Sequence, residues 1–284
     1  MTNWTPYRLR ELLDQLTERD LRILDDLERF RLLSTDHVRR LQFGEGHVSQ
    51  SAAVRGTVRV LGRLETGGFI ARLTRRVGGP VRGSSATVWQ LTATGERLQR
   101  ARRGDAIRRR YQEPSPHFTR HTLAISELGV RLTERARGGD VSLLELKPEP
   151  SSWRSFTNAL GALAWVRPDL FVVTADATTE SHSWVEVDLG TEHLPTVLRK
   201  CAVYQRYFAT GLEQAARDVF PLVVWMVPTE RRAASLRRAI AAERSLDASL
   251  FVVTTNEDVL EVLAPPNDGP DADRPASNRE EESP

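Results

Sequence analysis

The 284-residue sequence lacks features that several classes of protein require. Its single cysteine, Cys201, cannot form an internal disulfide, and no Cys or His residues have the spacing of a structural zinc site. A membrane-spanning helix needs about 18 consecutive apolar residues, and the chain has no such run. Its first residues carry charges where a signal peptide has its apolar stretch. We therefore expect a cytoplasmic protein without a membrane partner.

Lysine is almost absent as well, because Lys147 and Lys200 are the only lysines among 40 basic residues. The charge is also distributed unevenly. Residues 1–112 contain 22 arginines and 12 acidic residues, a net charge of +10, whereas residues 113–284 have a net charge of −8. Arginine side chains release counterions when they bind a phosphate backbone. The basic half therefore predicts a polyanionic partner.

The basic half has the pattern of three helices, two strands and a closing helix. Thr17 is placed to cap an amphipathic helix over 21–32, and Ser34 or Thr35 to cap a short second helix. A third helix is predicted over 51–65. The strands and the closing helix are predicted over 69–76, over 86–91 and from Thr92 onward.

The predicted third helix carries two sets of side chains at helical spacing. The apolar set, expected to face the core, is Val54, Val58, Leu61 and Leu64. The basic set, expected on another face, is Arg55, Arg59 and Arg63. A stripe of arginines suits contact with a phosphate backbone, although the solvated face of a helix that binds no DNA has a similar composition.

The stretch LGRLETGGFIARL, followed by VWQLTATGERL, resembles the winged helix-turn-helix family, and the resemblance covers about residues 17–100. It implies that the third helix lies in the major groove of double-stranded DNA and that the strands form the wing. The candidate DNA contacts are Arg55, Arg59, Arg63, Arg72, Arg75, Arg76 and Arg82. Some winged helices contact only proteins, and one sequence does not reveal which arginines reach bases and which reach phosphates.

A domain boundary is predicted at 113–116, where two prolines would stop a helix. The elements that follow have the order α-β-β-β-α-β-α-β. Apolar strands followed by helices predict a central mixed sheet that is covered on both faces. The expected fold is therefore α/β, or α+β for the whole chain, with a DNA-binding domain over 1–112 and a sheet domain over 113–264.

Two segments of the second half give no regular element. Residues 149–164 have no clear period, so no helix or strand is assigned to them. Residues 265–284 have almost nothing to bury and predict a disordered acidic tail.

Five residues of the second half form a pattern that suits phosphodiester chemistry. Asp169 heads one apolar run, while Glu186 and Asp188 stand two apart in the next, so these two side chains point to one side of a strand. Lys200 and Tyr204 are four apart and share a face of a predicted helix. Carboxylates on neighbouring strands can share one Mg²⁺, which activates a bound water and neutralises charge on a phosphate. The three acids are therefore candidate metal ligands, and all five residues are candidate catalytic residues.

The order of elements and acids resembles the PD-(D/E)xK nuclease superfamily, with Asp169 as the first acid and Glu186 as the start of the second motif. The superfamily has a lysine two residues after the second acid, where this sequence has Asp188. Lys200 would then replace that lysine from the following helix, or Asp188 would be a third metal ligand.

Three motifs are more narrowly similar to the replication-relaxation family of plasmids and mobile elements. They are R-P-D at 167–169, E-x-D-x-G-T-E at 186–192 and K-x-x-x-Y at 200–204. The resemblance implies a winged helix joined to a nuclease-like domain, with a role in plasmid replication, DNA relaxation or mobilisation. It also implies a replication or mobilisation protein as a partner.

Other interpretations stay open. The second domain could be a degenerate nuclease core in a regulator of transcription or replication, where it forms a homodimer or recruits a partner, or the winged helix could repress the operon of a toxin system. His121 and Glu127 could support the site from the preceding helix. The acid-x-lysine motif at 145–147 is interpreted as a chance match, because no Pro-Asp precedes it.

Overall fold

The computed structural model describes residues 6–44, 49–73, 77–78, 85–104, 115–139 and 141–266. Several predictions lie outside the described residues. They are the DNA contacts Arg75, Arg76 and Arg82, the boundary residues 113–114 and the tail from 267 onward. No helix in the described part of the chain has the length and apolar character needed to cross a membrane.

The first half contains five helices and a small antiparallel sheet within its described ranges. The helices are α1 (Pro6–Asp14), α2 (Glu18–Phe30), α3 (Thr35–Gln42), α4 (Gln50–Thr66) and α5 (Ala93–Arg103). The strands are β1 (Leu33–Ser34), β2 (Ile70–Arg72), β3 (Val77–Gly78), β4 (Ser85–Ala86) and β5 (Val88–Leu91). Strand β5 pairs with β1 and β2, and β3 pairs with β4. The three predicted helices and the closing helix are confirmed, while α1 was not predicted.

The predicted helix starts are confirmed by their capping contacts. Thr17 accepts a hydrogen bond from the backbone N–H of Asp20, and the Asp20 carboxylate accepts one from the backbone of Thr17. Ser34 and His37 make the same reciprocal pair at the start of α3. Each pair satisfies backbone donors that have no partner within the helix. These contacts are local in sequence, which explains why the pattern located both starts.

The apolar face predicted for α4 is wrong in part. Ala53 and Thr57 are buried together with the predicted Leu61 and Leu64. Val54 and Val58, by contrast, are 43% and 57% exposed. The small Ala53 and Thr57 allow α4 to pack closely, and the Thr57 hydroxyl is satisfied because it donates to the carbonyl of Ala53 at 2.8 Å. The two valines therefore share the exposed face with Arg55 and Arg59.

The second half is built on a five-stranded mixed sheet. Its helices are α6 (Pro116–Arg137), α7 (Leu194–Phe208), α8 (Leu212–Arg217), α9 (Glu230–Ala242) and α10 (Val259–Leu263). Its strands are β6 (Ser142–Pro148), β7 (Arg154–Thr157), β8 (Leu163–Val166), β9 (Leu170–Ala175), β10 (Glu180–Val187), β11 (Leu222–Val227) and β12 (Phe251–Thr255). The sheet order is β12-β11-β10-β9-β6, parallel from β10 to β12 and antiparallel from β10 to β6.

Both faces of this sheet are covered, as predicted. On one face Val185 and Val187 pack in a core that includes Ile125 and Leu128 of α6. On the other face Trp184 packs in a second core with residues of α7 and α9. Strands β7 and β8 form a separate antiparallel hairpin that lies mostly in the unassigned segment 149–164 and ends at Val166. The fold class predicted from the sequence is therefore confirmed at the level of a mixed α/β chain.

Helix α6 joins the two halves of the chain. Phe30 of α2 and Val187 of β10 belong to the same hydrophobic core as Leu128 of α6. A polar contact adds to this packing, because the guanidinium of Arg40 in α3 donates to Glu127 of α6 at 2.7 Å. One hydrophobic core therefore contains residues from both halves of the chain.

Gly129 provides a test of this packing. A Cβ at this position would lie 2.3 Å from Cε1 of Phe30. We expect Gly129→Ala to lower the free energy of unfolding by about 1–2 kcal/mol, because overpacking outweighs the better helix propensity of alanine. Gly62 in α4 has no atom within 4 Å of such a Cβ, so Gly62→Ala should raise stability by about 0.5–1 kcal/mol. Urea unfolding checks both variants, and equal effects would contradict the packing described.

Candidate functional site

Two neighbouring strands bring Asp169 next to Glu186. Asp169 directly precedes β9, and its backbone N–H donates to the carbonyl of Val185 at 3.0 Å. Its carboxylate Oδ2 accepts a hydrogen bond from the N–H of Val187 at 2.7 Å. Because β9 and β10 are antiparallel, the start of one lies beside the end of the other. The predicted juxtaposition of these two acids is therefore present.

Helix α7 supplies partners for both carboxylate oxygens of Glu186, a residue that is only 2% exposed. The Tyr204 hydroxyl donates to Oε1 at 2.6 Å, and Lys200 Nζ donates to Oε2 at 3.0 Å. Lys200 also donates to Glu192 at 2.7 Å. Lys200 and Tyr204 are four residues apart and so lie on one face of α7. The structure thus brings together four of the five predicted site residues.

The buried groups at this site have shifted pKa values. Burial raises the pKa of Glu186 to about 7, and the charge of Asp169 adds to the shift. Burial alone would lower the pKa of Lys200, but Glu186 and Glu192 outweigh it and raise that pKa above its usual value. The pKa of Tyr204 lies well above its usual range, because the hydroxyl is buried beside Glu186. Lys200 therefore keeps its proton near neutral pH, while Glu186 is the group that titrates.

The carboxylate of Asp188, the fifth predicted residue, bonds to other partners. Its residue is 1% exposed, and Arg232 of α9 donates to its Oδ2 from Nε at 2.7 Å. The backbone N–H of Gly190 donates to its Oδ1 at 2.7 Å. Asp188 therefore forms a buried ion pair and does not complete a metal site with the other two acids. Among the described residues, no group of three or more His, Cys, Asp and Glu side chains is arranged to hold a metal ion.

Two further groups surround Asp169. His121 Nε2 lies 3.2 Å from Asp169 Oδ2, so this histidine stands beside the first candidate acid. Burial opposes the charged form of His121, but Asp169 outweighs it and raises the pKa of the imidazole. Glu149 follows β6. Burial raises the pKa of its carboxyl, and the charge of Asp169 raises it further. Sequence reasoning missed Glu149, although an acid just beyond a predicted strand was an available signal.

A cleft opens beside these residues. It has a volume of about 390 Å³. Its lining residues are Leu163, Ala164, Trp165, Val166, Arg167, Glu186, Lys200, Val203 and Tyr204. The β7–β8 hairpin forms one wall, and α7 forms another. This wall could not be expected from the sequence, because the segment that forms it has no clear period.

The predicted DNA contacts within the described residues differ in their surroundings. Arg63 donates to both oxygens of the buried Asp20 at 2.6 Å. Arg72 donates to Glu65 at 2.8 Å and lies over the ring of Trp89. Arg55 and Arg59 are exposed on α4 and make no hydrogen bond or ion pair with another described residue. These two arginines therefore remain available to a partner.

Two other candidates from the sequence, Glu127 and the acid-x-lysine motif at 145–147, make structural contacts. Glu127 bonds to Arg40 and lies 3.1 Å from His37 Nε2, so it connects α6 with α3 and does not contact the acids of the cleft. Lys147 donates to Glu145, which also accepts from Arg217 at 2.9 Å. The latter arrangement agrees with the interpretation of this acid-x-lysine motif as a chance match.

The fold and this site define a mixed α/β protein with buried acids at one end of two central strands. The family model for replication-relaxation matches residues 24–223. The chain belongs to the replication-relaxation family. Comparison with curated proteins gave no match, and comparison with solved structures gave none either.

The titration of Glu186 makes stability depend on pH. Its pKa is raised from 4.5 to about 7, so the folded state holds a proton that the unfolded state releases near pH 4.5. Its contribution to the free energy of unfolding therefore falls as the pH rises from about 4.5 to about 7. We expect the stability difference between wild type and Glu186→Gln to fall by on the order of 1–3 kcal/mol between about pH 5 and 8.

Urea unfolding at several pH values measures this difference. Asp176→Asn is the control, because Asp176 is only half-buried and the backbone N–H groups of Thr178 and Thr179 lower its pKa. Its stability difference from wild type should be constant over the same pH range. A constant difference for Glu186→Gln as well would show that Glu186 is ionised throughout.

Proposed function

We propose that this chain is a DNA-binding protein that acts in the replication, relaxation or mobilisation of a plasmid or mobile element. Membership of the replication-relaxation family supports this role. The observation that carries the proposal is the exposed face of α4, where Val54 and Val58 lie beside Arg55 and Arg59. The net charge of the first half is +10, which suits a phosphate backbone.

The chemistry of this face suits a DNA groove. An arginine can contact phosphates or bind the major-groove edge of guanine, and an apolar side chain can contact the methyl group of thymine. Gly62, one turn further along α4, has open space where a Cβ would be. The face therefore offers charge, apolar contact and room for close approach on one side of a helix.

The surrounding elements support a winged-helix arrangement. Helices α2, α3 and α4 are followed by β2, and β5 returns to pair with both β1 and β2. The β3–β4 pair extends this hairpin and would form the tip of the wing. In such a domain α4 enters the major groove. Arg63 and Arg72 are paired with acids, so we assign them first to the support of the domain.

We expect the double variant Arg55→Ala, Arg59→Ala to bind a DNA duplex at least about tenfold more weakly near 0.1 M salt, because two cations are removed from the contact face. The plot of log K against log salt should become shallower by about 2. Fluorescence anisotropy with a labelled duplex measures both quantities.

The control removes the same charge elsewhere in the same half. Arg22 pairs with Glu18 at 2.7 Å and Arg102 pairs with Asp25 at 2.6 Å. The double variant Arg22→Ala, Arg102→Ala should keep the salt dependence of wild type within error. Equal losses in the two double variants would show a general charge effect and no contact through α4.

We extend the proposal to Mg²⁺ at the acidic site. Mg²⁺ is bound in many proteins by one or two carboxylates together with waters and phosphate oxygens. Asp169 and Glu186 fit such a set, because they are adjacent. Of the two carboxylate oxygens of Asp169, only Oδ2 bonds to another described residue. When bound, the ion would activate a water and neutralise charge on the phosphate.

The residues of the chain have distinct roles in this proposal. The Val187 N–H and His121 orient the carboxylate of Asp169. Tyr204 holds one oxygen of Glu186 through its hydroxyl. Lys200 places a positive charge at the edge of the cleft, where it can contact a phosphate oxygen. In this proposal Asp188 is left out of the ligand set, because its two oxygens bond to Arg232 and to the backbone of Gly190, on the side of α9.

Asp169→Asn tests this extension. We expect the wild type to relax supercoiled plasmid in the presence of Mg²⁺ and the variant to lose at least about a hundredfold of that rate, because a positioned charge at a developing phosphate transition state contributes several kcal/mol. Calorimetric titration with Mg²⁺ alone should also lose its signal in the variant.

Asp176→Asn is the control, since this half-buried acid lies at the other end of β9. It should keep both the Mg²⁺ signal and the relaxation rate. A wild type that binds duplex DNA but neither titrates with Mg²⁺ nor relaxes plasmid would contradict the enzymatic part and leave the DNA-binding part intact.

One observation favours a second candidate function, a non-catalytic regulator of replication or transcription. Lys200 is already paired with Glu186, and Arg232 with Asp188, both within the fold. A scaffold of this kind would hold DNA through α4 and use its second half to dimerise or to bind a partner protein. The plasmid experiment separates the two candidates.

A further inference from the structure

The β7–β8 hairpin exposes large apolar side chains beside the acidic cleft. Leu163 is 68% exposed and Trp165 is 41% exposed, and both line the cleft. Leu163 and Trp165 are two residues apart on β8 and so point to the same side of the strand. An exposed indole and leucine at the entrance to a charged cleft are unusual for a surface that contacts only water.

Arg167 lies over two indole rings. Its guanidinium carbon lies 5.0 Å from the ring centre of Trp153 and 5.9 Å from that of Trp165. Arg167 is exposed and makes no hydrogen bond or ion pair with another described residue. Stacking on two rings restricts the side chain without using its hydrogen-bond donors. Those donors therefore remain available to an anion, two residues before Asp169 in the chain.

The cleft combines this aromatic wall with a second cation. Lys200 lies on the α7 side, opposite the hairpin, and its side chain is partly exposed. The volume of about 390 Å³ lies within the range of small-molecule sites, roughly 300–1,000 Å³. An aromatic face and two cations around one cleft are complementary to a planar base with its phosphate.

We infer that this cleft binds one nucleotide of an unpaired DNA strand, with the base stacked on Trp165 and the adjacent phosphate bound by Arg167 and Lys200. The inference rests on the proposed DNA-binding function and specifies that the second half binds single-stranded DNA. Proteins that bind single strands combine aromatic platforms with cationic grooves in this way. Duplex DNA stacks its bases internally and cannot offer one to the ring. The two halves thus take different forms of DNA.

A binding comparison on the full chain tests this assignment. The probes are a fluorescein-labelled oligothymidine of about 12 nucleotides and a labelled duplex, near 0.1 M salt. We expect Trp165→Ala to bind the oligothymidine about tenfold more weakly, because stacking of a base on an aromatic ring is a main source of affinity for single strands. Its affinity for the duplex should stay within about twofold of wild type.

Matched variants separate stacking from other effects. Trp165→Phe keeps an aromatic face and should recover most of the oligothymidine affinity. Arg167→Ala should weaken the same complex and make its salt dependence shallower by about 0.7. Leu144→Ala is the control, because Leu144 is exposed on β6, outside the cleft. It should behave as wild type, and circular dichroism verifies the fold of each variant.

The outcomes distinguish this inference from the proposal on α4. If Trp165→Ala binds oligothymidine as wild type does, the nucleotide site is wrong, whatever the duplex result. If Trp165→Ala weakens the oligothymidine complex while the α4 variants bind duplex normally, the nucleotide site stands and the α4 proposal fails. A change in sedimentation without a change in oligothymidine affinity would overturn the inference in favour of contact between two copies of the chain.

Discussion

The buried carboxylate of Glu186 is the constraint on which the arrangement of the second half depends. An acid that is 2% exposed, with Asp169 beside it, would be strongly unfavourable without a partner of opposite charge. Helix α7 satisfies this requirement by presenting Lys200 and Tyr204 to the two oxygens of one carboxylate. The position of α7 on the sheet is thus coupled to the charge of Glu186, and α7 in turn forms a wall of the cleft.

On the same face of the sheet, helix α9 pairs with a second buried acid in the same way. Asp188 is also buried, and Arg232 of α9 neutralises it. Two acids, one on β10 and one just beyond its end, therefore attach two helices to the sheet. Such ion pairs contribute little net stability in general, because both partners lose hydration, but removing one partner leaves an uncompensated charge. Their main effect here is positional, since each pair holds a helix at a defined place relative to the cleft.

Helix α6 connects this face to the first half of the chain. It packs against α2 through Phe30 and Gly129, and against the sheet beside Val187. It also carries His121, which lies beside Asp169. The exposed face of α4 and the acidic cleft are therefore parts of one packed structure. The separation of these two surfaces is set by the core between them.

The sequence by itself determined the helices and strands whose signals are local. Capping at Thr17 and Ser34, the apolar runs of β9 to β11 and the four-residue spacing of Lys200 and Tyr204 depend on neighbours along the chain, so pattern and structure agree. The tertiary structure alone decided which face of α4 is buried, because both Val54 and Ala53 are apolar and the neighbouring elements pack against Ala53. It also decided that Asp188 pairs with Arg232, which is 44 residues away in the chain, and it decided where the β7–β8 hairpin lies. Contacts between distant segments leave no periodic signal, so they appear only when the chain is folded.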